Sequence, residues 1–386
     1  MATQEFDVIV IGAGPAGEVC AGRLGEAGRS VAVVESRLVG GECSYFGCMP
    51  SKALLRPDEA LAEARRLPGA REAAGGELDV EAVLHRRDEV VHDLDDSVQV
   101  PWLEERGVTL VRGRAKLAGE RSVEVGERTL TAREAVVVAT GSSALVPPIP
   151  GLAEARPWTN IEGTTSKEVP EHLVVLGGGV VGVELGQAWR SLGAAVTIVE
   201  GAARLIAREE EFASQTVHDA LLARGIEIKV GSLAASVSRG TGSVTVELEN
   251  GESVQGTELL AAIGRRVNTG DLGLETIGLE PGKPIEVDVE IFPTAAVFGP
   301  GHRLRLTLQT ADEPHLTAPA PQGTNSVGST LHVYHDAQHP SELVIPVRGA
   351  APFAGAVRAT RKAHAHRRHH RRHRARHRHR THAHSR

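Results

Sequence analysis

The sequence has 386 residues, a length that allows two or three domains. Its formal net charge of −6 is the sum of two unlike parts. Residues 358–386 contain 12 Lys and Arg, 9 of the 18 His and no Asp or Glu. The first 357 residues carry 31 basic and 49 acidic side chains. The acidic body disfavours nucleic-acid binding, since phosphate contacts need Lys and Arg.

The absence of recognisable targeting signals and the positions of the cysteines further limit the kind of protein that this sequence can encode. No apolar run reaches the roughly 18 residues of a membrane span, and the N-terminus lacks the basic and apolar regions of a signal peptide. We therefore expect a cytoplasmic protein with no membrane contact. In a reducing compartment, Cys43 and Cys48 are better explained as a redox pair than as a structural disulfide or a zinc site. Cys20, inside a predicted helix, is expected to be a small core residue.

The first predicted element is a buried parallel strand at residues 7–11. The sequence Gly-Ala-Gly-Pro-Ala-Gly follows at 12–17, then a helical pattern to about residue 28 and a strand at 31–34 that ends in Glu35. This order is typical of a dinucleotide site, in which the glycines admit a pyrophosphate to the helix N-terminus and the acid binds a ribose.

The same device recurs later in the chain. A strand at 173–176 precedes Gly-Gly-Gly-Val-Val-Gly at 177–182, a helix to about residue 192 and a strand that ends in Glu200. A carboxylate there favours NAD, although Arg204 lies close enough to keep NADP as an alternative. Two such sites indicate electron transfer between two dinucleotides, for instance a nicotinamide and a flavin.

The cysteine pair lies in Gly-Gly-Glu-Cys-Ser-Tyr-Phe-Gly-Cys-Met-Pro-Ser-Lys, residues 40–52. A thiol near a helix start has a lowered pKa, and a pair that closes into a disulfide stores two electrons. This segment resembles the redox-active disulfide of the FAD-dependent pyridine nucleotide–disulfide oxidoreductases, which include dihydrolipoamide dehydrogenase, glutathione reductase and mercuric reductase. Residues 113–115, 136–142, 157–160 and 259–269 resemble further parts of the same family.

The resemblance implies a role for each matching residue. Cys43 would exchange with the substrate and Cys48 would face the flavin, with Lys52 beside the flavin ring and paired with Glu184. The implied cofactor contacts are Gly12, Gly14, Pro15, Ala16, Gly17, Glu35, Ser36, Gly41, Glu42, Cys43, Lys52, Ala115, Thr140, Gly141, Ser142, Gly177, Gly179, Val180, Val181, Gly182, Glu184, Glu200 and Gly264.

Two segments between these motifs, 51–66 and 80–106, are predicted to be mostly helical. We expect Pro57 and Pro101 to interrupt them. Their charged residues are expected to lie on solvated faces.

The resemblance stops at about Asp288. The family continues with an Ala-x-Gly-Asp segment for the flavin and a dimerisation domain that supplies a His-Glu pair. Neither is recognisable here, and we interpret His339-Pro340-Ser341-Glu342 as a chance likeness to the His-Pro-x-x-Ser-Glu signature. The family's homodimer is therefore doubtful for this chain.

Residues 289–357 lack periodicity, and the segment 358–386 alternates Arg and His. Such a tail could bind nucleic acid, acidic surfaces or metal, but we favour a shifted reading frame. Translating the other two frames beyond codon 288 tests this, because one of them should then contain the two missing family segments.

These observations predict an α/β protein with two Rossmann-like, three-layer domains. The predicted divisions are an FAD-binding domain at 1–150, an NAD(P)-binding domain at 151–270, the start of a return to the FAD domain at 271–288, an irregular segment at 289–357 and a disordered tail at 358–386. The predicted function is electron transfer between NAD(P)H and a small or lipoyl-domain dithiol through FAD, most like dihydrolipoamide dehydrogenase. The alternatives are a mercuric reductase-like or other disulfide reductase, and a catalytically defective remnant.

Overall fold

A computed structural model of the chain describes residues 3–279. The predictions for residues 280–386, including the irregular segment and the tail, lie outside the described residues. The strands are β1 (Thr3–Ile11), β2 (Val31–Glu35), β3 (Val108–Arg112), β4 (Ala115–Leu117), β5 (Ser122–Val125), β6 (Arg128–Val138), β7 (Ser142–Ala144), β8 (His172–Leu176), β9 (Ala195–Glu200), β10 (Glu227–Val230), β11 (Ala234–Gly240), β12 (Ser243–Leu248), β13 (Ser253–Gly256), β14 (Glu258–Ala261) and β15 (Arg265–Val267).

Helices connect these strands. They are α1 (Pro15–Glu26), α2 (Gly41–Tyr45), α3 (Cys48–Arg66), α4 (Ala70–Ala73), α5 (Val80–Val90), α6 (Val100–Glu104), α7 (Asn160–Thr165), α8 (Val180–Ser191) and α9 (Glu211–Ala223), with short 3₁₀ turns at His92–Leu94 and Leu274–Ile277. Within residues 3–279, none of the helices combines the length and the apolar character needed to cross a membrane.

The first sheet has six strands in the order β3-β2-β1-β6-β5-β4. Its strands β3, β2, β1 and β6 are parallel, and β5 and β4 extend it as antiparallel strands. Every residue of β2, Val-Ala-Val-Val-Glu, is buried, as expected for a central parallel strand that is covered on both faces. The first dinucleotide motif therefore lies at the carboxyl edge of a buried parallel sheet.

The second parallel sheet has the order β10-β9-β8-β14. Alternate residues of β8 point to opposite faces: Leu173 and Val175 join a core with α3, α5 and α8, whereas Val174 and Leu176 join a core with the antiparallel sheet β11-β12-β13. The layers are helix, parallel sheet and antiparallel sheet, and the predicted α/β class is confirmed.

Two expectations about the helices are wrong. Pro57 does not interrupt α3, which continues from residue 48 to residue 66. A proline removes the bond to the carbonyl four residues earlier, here that of Ala53, and Arg86 of α5 donates to this oxygen instead (3.1 Å). Arg87 does not lie on a solvated face, because its side chain is fully buried.

The helical structure is interrupted between α5 and α6. The sequence predicts an interruption of the 80–106 segment, at Pro101. Three consecutive residues, His92, Asp93 and Leu94, have positive φ, and Pro101 lies within the first turn of α6. A proline is tolerated there because the first amides of a helix have no intrahelical partner.

Candidate functional site

The turn between β1 and α1 has the backbone of a phosphate-binding loop. Gly12 has φ +101°, and a Cβ on Gly17 would lie 1.8 Å from the carbonyl oxygen of Gly12, so neither position admits a side chain. Gly14 caps the N-terminus of α1, and a Cβ there would meet no atom within 4 Å. The helix N-terminus thus faces open space, which fits the pyrophosphate of a dinucleotide.

Glu35, the last residue of β2, turns back toward this loop. Its carboxylate accepts hydrogen bonds from the backbone N–H of Ala13 (2.8 Å) and of Arg37 (2.7 Å). The side chain is therefore fixed at the strand end, where its remaining lone pairs are available to a ribose diol.

The second copy repeats this arrangement in detail. Gly177 has φ +105°, and a Cβ on Gly182 would lie 1.9 Å from its carbonyl oxygen. Glu200 accepts from the N–H groups of Gly178 (2.5 Å) and Ala202 (2.6 Å). In both copies the carboxylate thus bonds the amide 22 residues earlier and the amide two residues later. The two local structures are equivalent, as the sequence predicts.

The two thiols lie between these copies. Cys43 is in α2 and is partly buried, whereas Cys48 is exposed at the first residue of α3. The interaction between the two thiols lowers the pKa of Cys48 to about 6, with a further contribution from the Lys52 ammonium, and raises the pKa of Cys43 above its ordinary value. At neutral pH, Cys48 is the thiolate and Cys43 is the neutral thiol.

Lys52 lies one turn after Cys48 and pairs with a glutamate from the second dinucleotide fold. Its Nζ is 2.7 and 2.6 Å from the two carboxylate oxygens of Glu184 in α8. The buried hydroxyl of Ser51 donates to the same carboxylate (2.9 Å). The pairing that the resemblance implies is present, and it joins the thiol helix to the second fold.

The other predicted contacts lie around the same region. Pro15 and Ala16 begin α1, and a Cβ on Gly41 would lie 2.8 Å from the Cα of Gly14. Thr140 donates to the carbonyl of Asn268 (2.8 Å) in the connection after β6. Ser36 follows β2, Glu42 is in α2 and Ala115 begins β4. Gly141 precedes β7, Ser142 begins it, and Gly264 precedes β15. Gly179 precedes α8, which begins with Val180 and Val181.

Sequence reasoning missed three residues beside the thiols. Asn160 and Arg265 bond the carboxylate of Glu42, the residue before Cys43. Glu18, one turn into α1, has a pKa raised to about 7, first by burial and then by the charge of Glu35. The motifs at 157–160 and 259–269 contain Asn160 and Arg265 but do not indicate these contacts, because the partner, Glu42, lies far away in sequence. The pKa shift of Glu18 depends on packing, which no local pattern shows. Within residues 3–279, no cluster of three or more His, Cys, Asp or Glu could hold a metal ion.

A family model described as pyridine nucleotide-disulphide oxidoreductase matches residues 6–296. The chain belongs to this family. This confirms the resemblance on which the sequence analysis relied. Members of this family depend on FAD and use NAD(P)H.

The chain aligns with only part of the length of its individual relatives. The chain is 39% identical over 291 residues to dihydrolipoyl dehydrogenase 3 of Pseudomonas aeruginosa, which covers 72% of this chain and 62% of that protein. It is 32% identical over 288 residues to a mercuric reductase of Staphylococcus aureus, with coverage of 73% and 52%. The chain thus spans about half to three fifths of these relatives.

A solved structure shows the same fold. The Cu(II) complex of the HOCl-induced flavoprotein disulfide reductase RclA from Escherichia coli superposes with a TM-score of 0.63 at 26% identity, over 72% of this chain and 60% of that chain.

Proposed function

We propose that this chain is an FAD-dependent NAD–disulfide oxidoreductase, most like dihydrolipoamide dehydrogenase. The observation that carries the proposal is the polarised Cys43–Cys48 pair, placed between two dinucleotide folds and beside the Lys52–Glu184 ion pair. The 39% identity to a dihydrolipoyl dehydrogenase supports the same assignment. The proposed net reaction is dithiol plus NAD⁺ to disulfide, NADH and H⁺.

The chain's residues would divide this reaction between them. With the pair oxidised, a substrate thiolate would attack the sulfur of Cys43, form a mixed disulfide with it and release the thiolate of Cys48. The second substrate thiol would then attack the substrate sulfur of this mixed disulfide, which forms the substrate disulfide and leaves Cys43 and Cys48 reduced. Cys48, the lower-pKa thiol, would be the thiolate on the cofactor side. FAD, when bound, supplies the two-electron acceptor that links this pair to the nicotinamide.

The fit to the cofactors rests on two loops and two carboxylates. The open N-termini of α1 and α8 would take the pyrophosphates of FAD and NAD. Glu35 and Glu200 would bind the adenosine riboses, and Lys52 would lie beside the isoalloxazine ring. The remaining predicted contacts, from Ala115 to Gly264, stay predictions.

The choice of NAD over NADP rests on Glu200. A carboxylate at the strand end accepts bonds from a ribose diol and repels the additional phosphate of NADP. Arg204 is the candidate ligand for the additional phosphate of NADP. Its guanidinium donates instead to the carbonyls of Ala207 (2.8 Å) and Glu209 (2.9 Å). Arg204→Met should therefore leave the KM for NADH within about twofold. A large increase in the KM for NADPH, with NADPH the better substrate, would instead favour the phosphate-binding role.

One experiment tests the whole proposal. The purified protein should contain flavin, develop a long-wavelength absorbance band on mild reduction, and oxidise NADH with lipoamide or glutathione disulfide as acceptor. Cys43→Ser and Cys48→Ser should each abolish disulfide reduction. A colourless protein without turnover would favour the alternative, a catalytically defective remnant. Selective reduction of Hg(II) would favour the mercuric reductase alternative.

A further inference from the structure

Glu42, Asn160 and Arg265 form a closed ring of hydrogen bonds, which we call the three-residue ring. The Nη1 of Arg265 donates to Oδ1 of Asn160 (3.2 Å), and Nδ2 of Asn160 donates to Oε2 of Glu42 (3.3 Å). The Nη2 of Arg265 closes the ring by an ion pair with the same oxygen of Glu42. The three side chains come from α2, α7 and β15, so the ring joins segments up to 223 residues apart.

The ring holds both ends of the helix that carries Cys43. Glu42 lies in the first turn of α2, and Nδ2 of Asn160 also donates to the carbonyl of Phe46 (2.7 Å), the residue that ends the helix. A five-residue helix has little stability of its own, because its few backbone bonds do not offset the cost of nucleation. The position of Cys43 therefore depends on contacts from outside α2.

The other side of the ring is firmly anchored. Arg265 donates through Nε to the hydroxyl of Ser142 (2.8 Å) and through Nη2 to the carbonyl of Ser142 (2.5 Å). Its strand, β15, pairs antiparallel with β7. Asn160 is only 5% exposed, so water competes little for its hydrogen bonds.

We propose that the three-residue ring is a positioning device that holds Cys43 within bonding reach of Cys48 and so favours closure of their disulfide. The proposal rests on the redox role proposed above for this pair. A disulfide forms only when the two Cβ atoms approach to about 3.8 Å with a defined torsion. When α2 is already ordered in the dithiol form, closure costs less conformational entropy, and the effective concentration of one thiol at the other is higher.

The test is a redox titration of the full chain with mixtures of reduced glutathione and glutathione disulfide. Closing the Cys43–Cys48 disulfide releases two electrons and two protons, which reduce one glutathione disulfide to two glutathione molecules. The oxidised fraction is measured by alkylation and mass spectrometry of the peptide that contains both cysteines.

The variants are Arg265→Met, Glu42→Gln, their combination and the matched control Arg266→Met. Arg266 follows Arg265 in β15, and its exposed side chain makes no hydrogen bond or ion pair with residues 3–279. Arg265→Met should lower the closure constant about tenfold, equal to about 30 mV, and Glu42→Gln about threefold. The closure constant of the double variant should be no lower than that of Arg265→Met, because both changes break the same ring. The closure constant of Arg266→Met should stay within twofold of that of the unmodified chain.

A closure constant within twofold for Arg265→Met, in a protein that still melts cooperatively, would overturn the proposal, as would an equal decrease for Arg266→Met. If Arg265→Met does not fold, the closure constants of Arg265→Lys and Glu42→Asp replace it, and values within twofold of the unmodified chain would overturn the proposal. A purely structural role would lower the melting temperature without changing the closure constant. Because the titration needs neither FAD nor NAD, a lack of NADH turnover would overturn the proposed function alone.

Discussion

Cys43 and Cys48 shift each other's pKa in opposite directions, and the interaction between the two thiols is the largest cause of both shifts. Cys48 also begins a 19-residue helix, where the helix dipole favours negative charge. The pair therefore has a fixed polarity before any substrate arrives, with the thiolate at Cys48.

This polarity predicts the pH dependence of alkylation. In the reduced protein, the reaction of Cys48 with iodoacetamide should increase with pH around a midpoint near 6. Cys43→Ala removes the thiol that is the largest cause of this lowering, so the midpoint should rise by about one pH unit or more toward the ordinary thiol value. Mass spectrometry of the labelled peptides measures this. Cys20→Ala, a change in the core of the first sheet, is the control and should leave the midpoint in place; an unchanged midpoint in Cys43→Ala would contradict the assignment.

The ion pair of Lys52 and Glu184 predicts opposite effects from its two members. The positive charge of Lys52 lowers the pKa of Cys48, and the negative charge of Glu184 raises it. Lys52→Met should therefore move the alkylation midpoint up and Glu184→Gln should move it down, each by about 0.5 pH unit because the site is partly exposed and screened. Shifts in the same direction would show that the variants act through a change of structure rather than through charge.

Arg87 predicts a stability effect. Its buried guanidinium donates to the carbonyls of Thr164 (2.5 Å) and Ser166 (3.0 Å) and to Asp88 (2.8 Å). Arg87→Met would leave buried carbonyl groups without donors, at a cost of about 3 kcal/mol, and should lower the melting temperature by about 6 °C or more.

The control for this measurement is Arg56→Met on the neighbouring helix α3. Arg56 is exposed, and within residues 3–279 it pairs only with surface glutamates, so its replacement should cost less than about 1 kcal/mol. Equal melting temperatures for the two variants would show that the buried contacts of Arg87 contribute no more than a surface ion pair.

The sequence predicts those parts of the fold whose determinants are local. Each dinucleotide motif contains its strand, its glycine turn, its helix and its acid within about 30 residues, and the structure forms both copies with the same carboxylate contacts. Arg87 escaped prediction because a charged residue in a helical pattern has no local sign of burial. The partnership of Asn160 with Glu42 joins residues 118 positions apart, which only the packed chain brings together.

Glu18 predicts a change in the pH dependence of stability. Its pKa is about 7 in the folded protein and near the ordinary value of 4.5 when unfolded. Between these values the folded state binds more protons than the unfolded state, so this residue lowers the free energy of unfolding as pH rises from 4.5 to 7. Glu18→Gln removes the ionisation. It should make the protein more stable than the unmodified chain by about 1–2 kcal/mol at pH 8, a value reduced from the full linkage energy because the side chain is partly exposed.

Urea denaturation at several pH values measures this difference. The advantage of Glu18→Gln should disappear as pH falls to about 4.5, where the carboxyl group of Glu18 is neutral in the folded protein. Glu104→Gln is the control, because the side chain of Glu104 in α6 is exposed and makes no hydrogen bond or ion pair with residues 3–279. Its free energy of unfolding should follow that of the unmodified chain at every pH. Parallel free-energy curves for Glu18→Gln and the unmodified chain from pH 5 to pH 8 would show that Glu18 ionises as freely in the folded protein as in the unfolded chain.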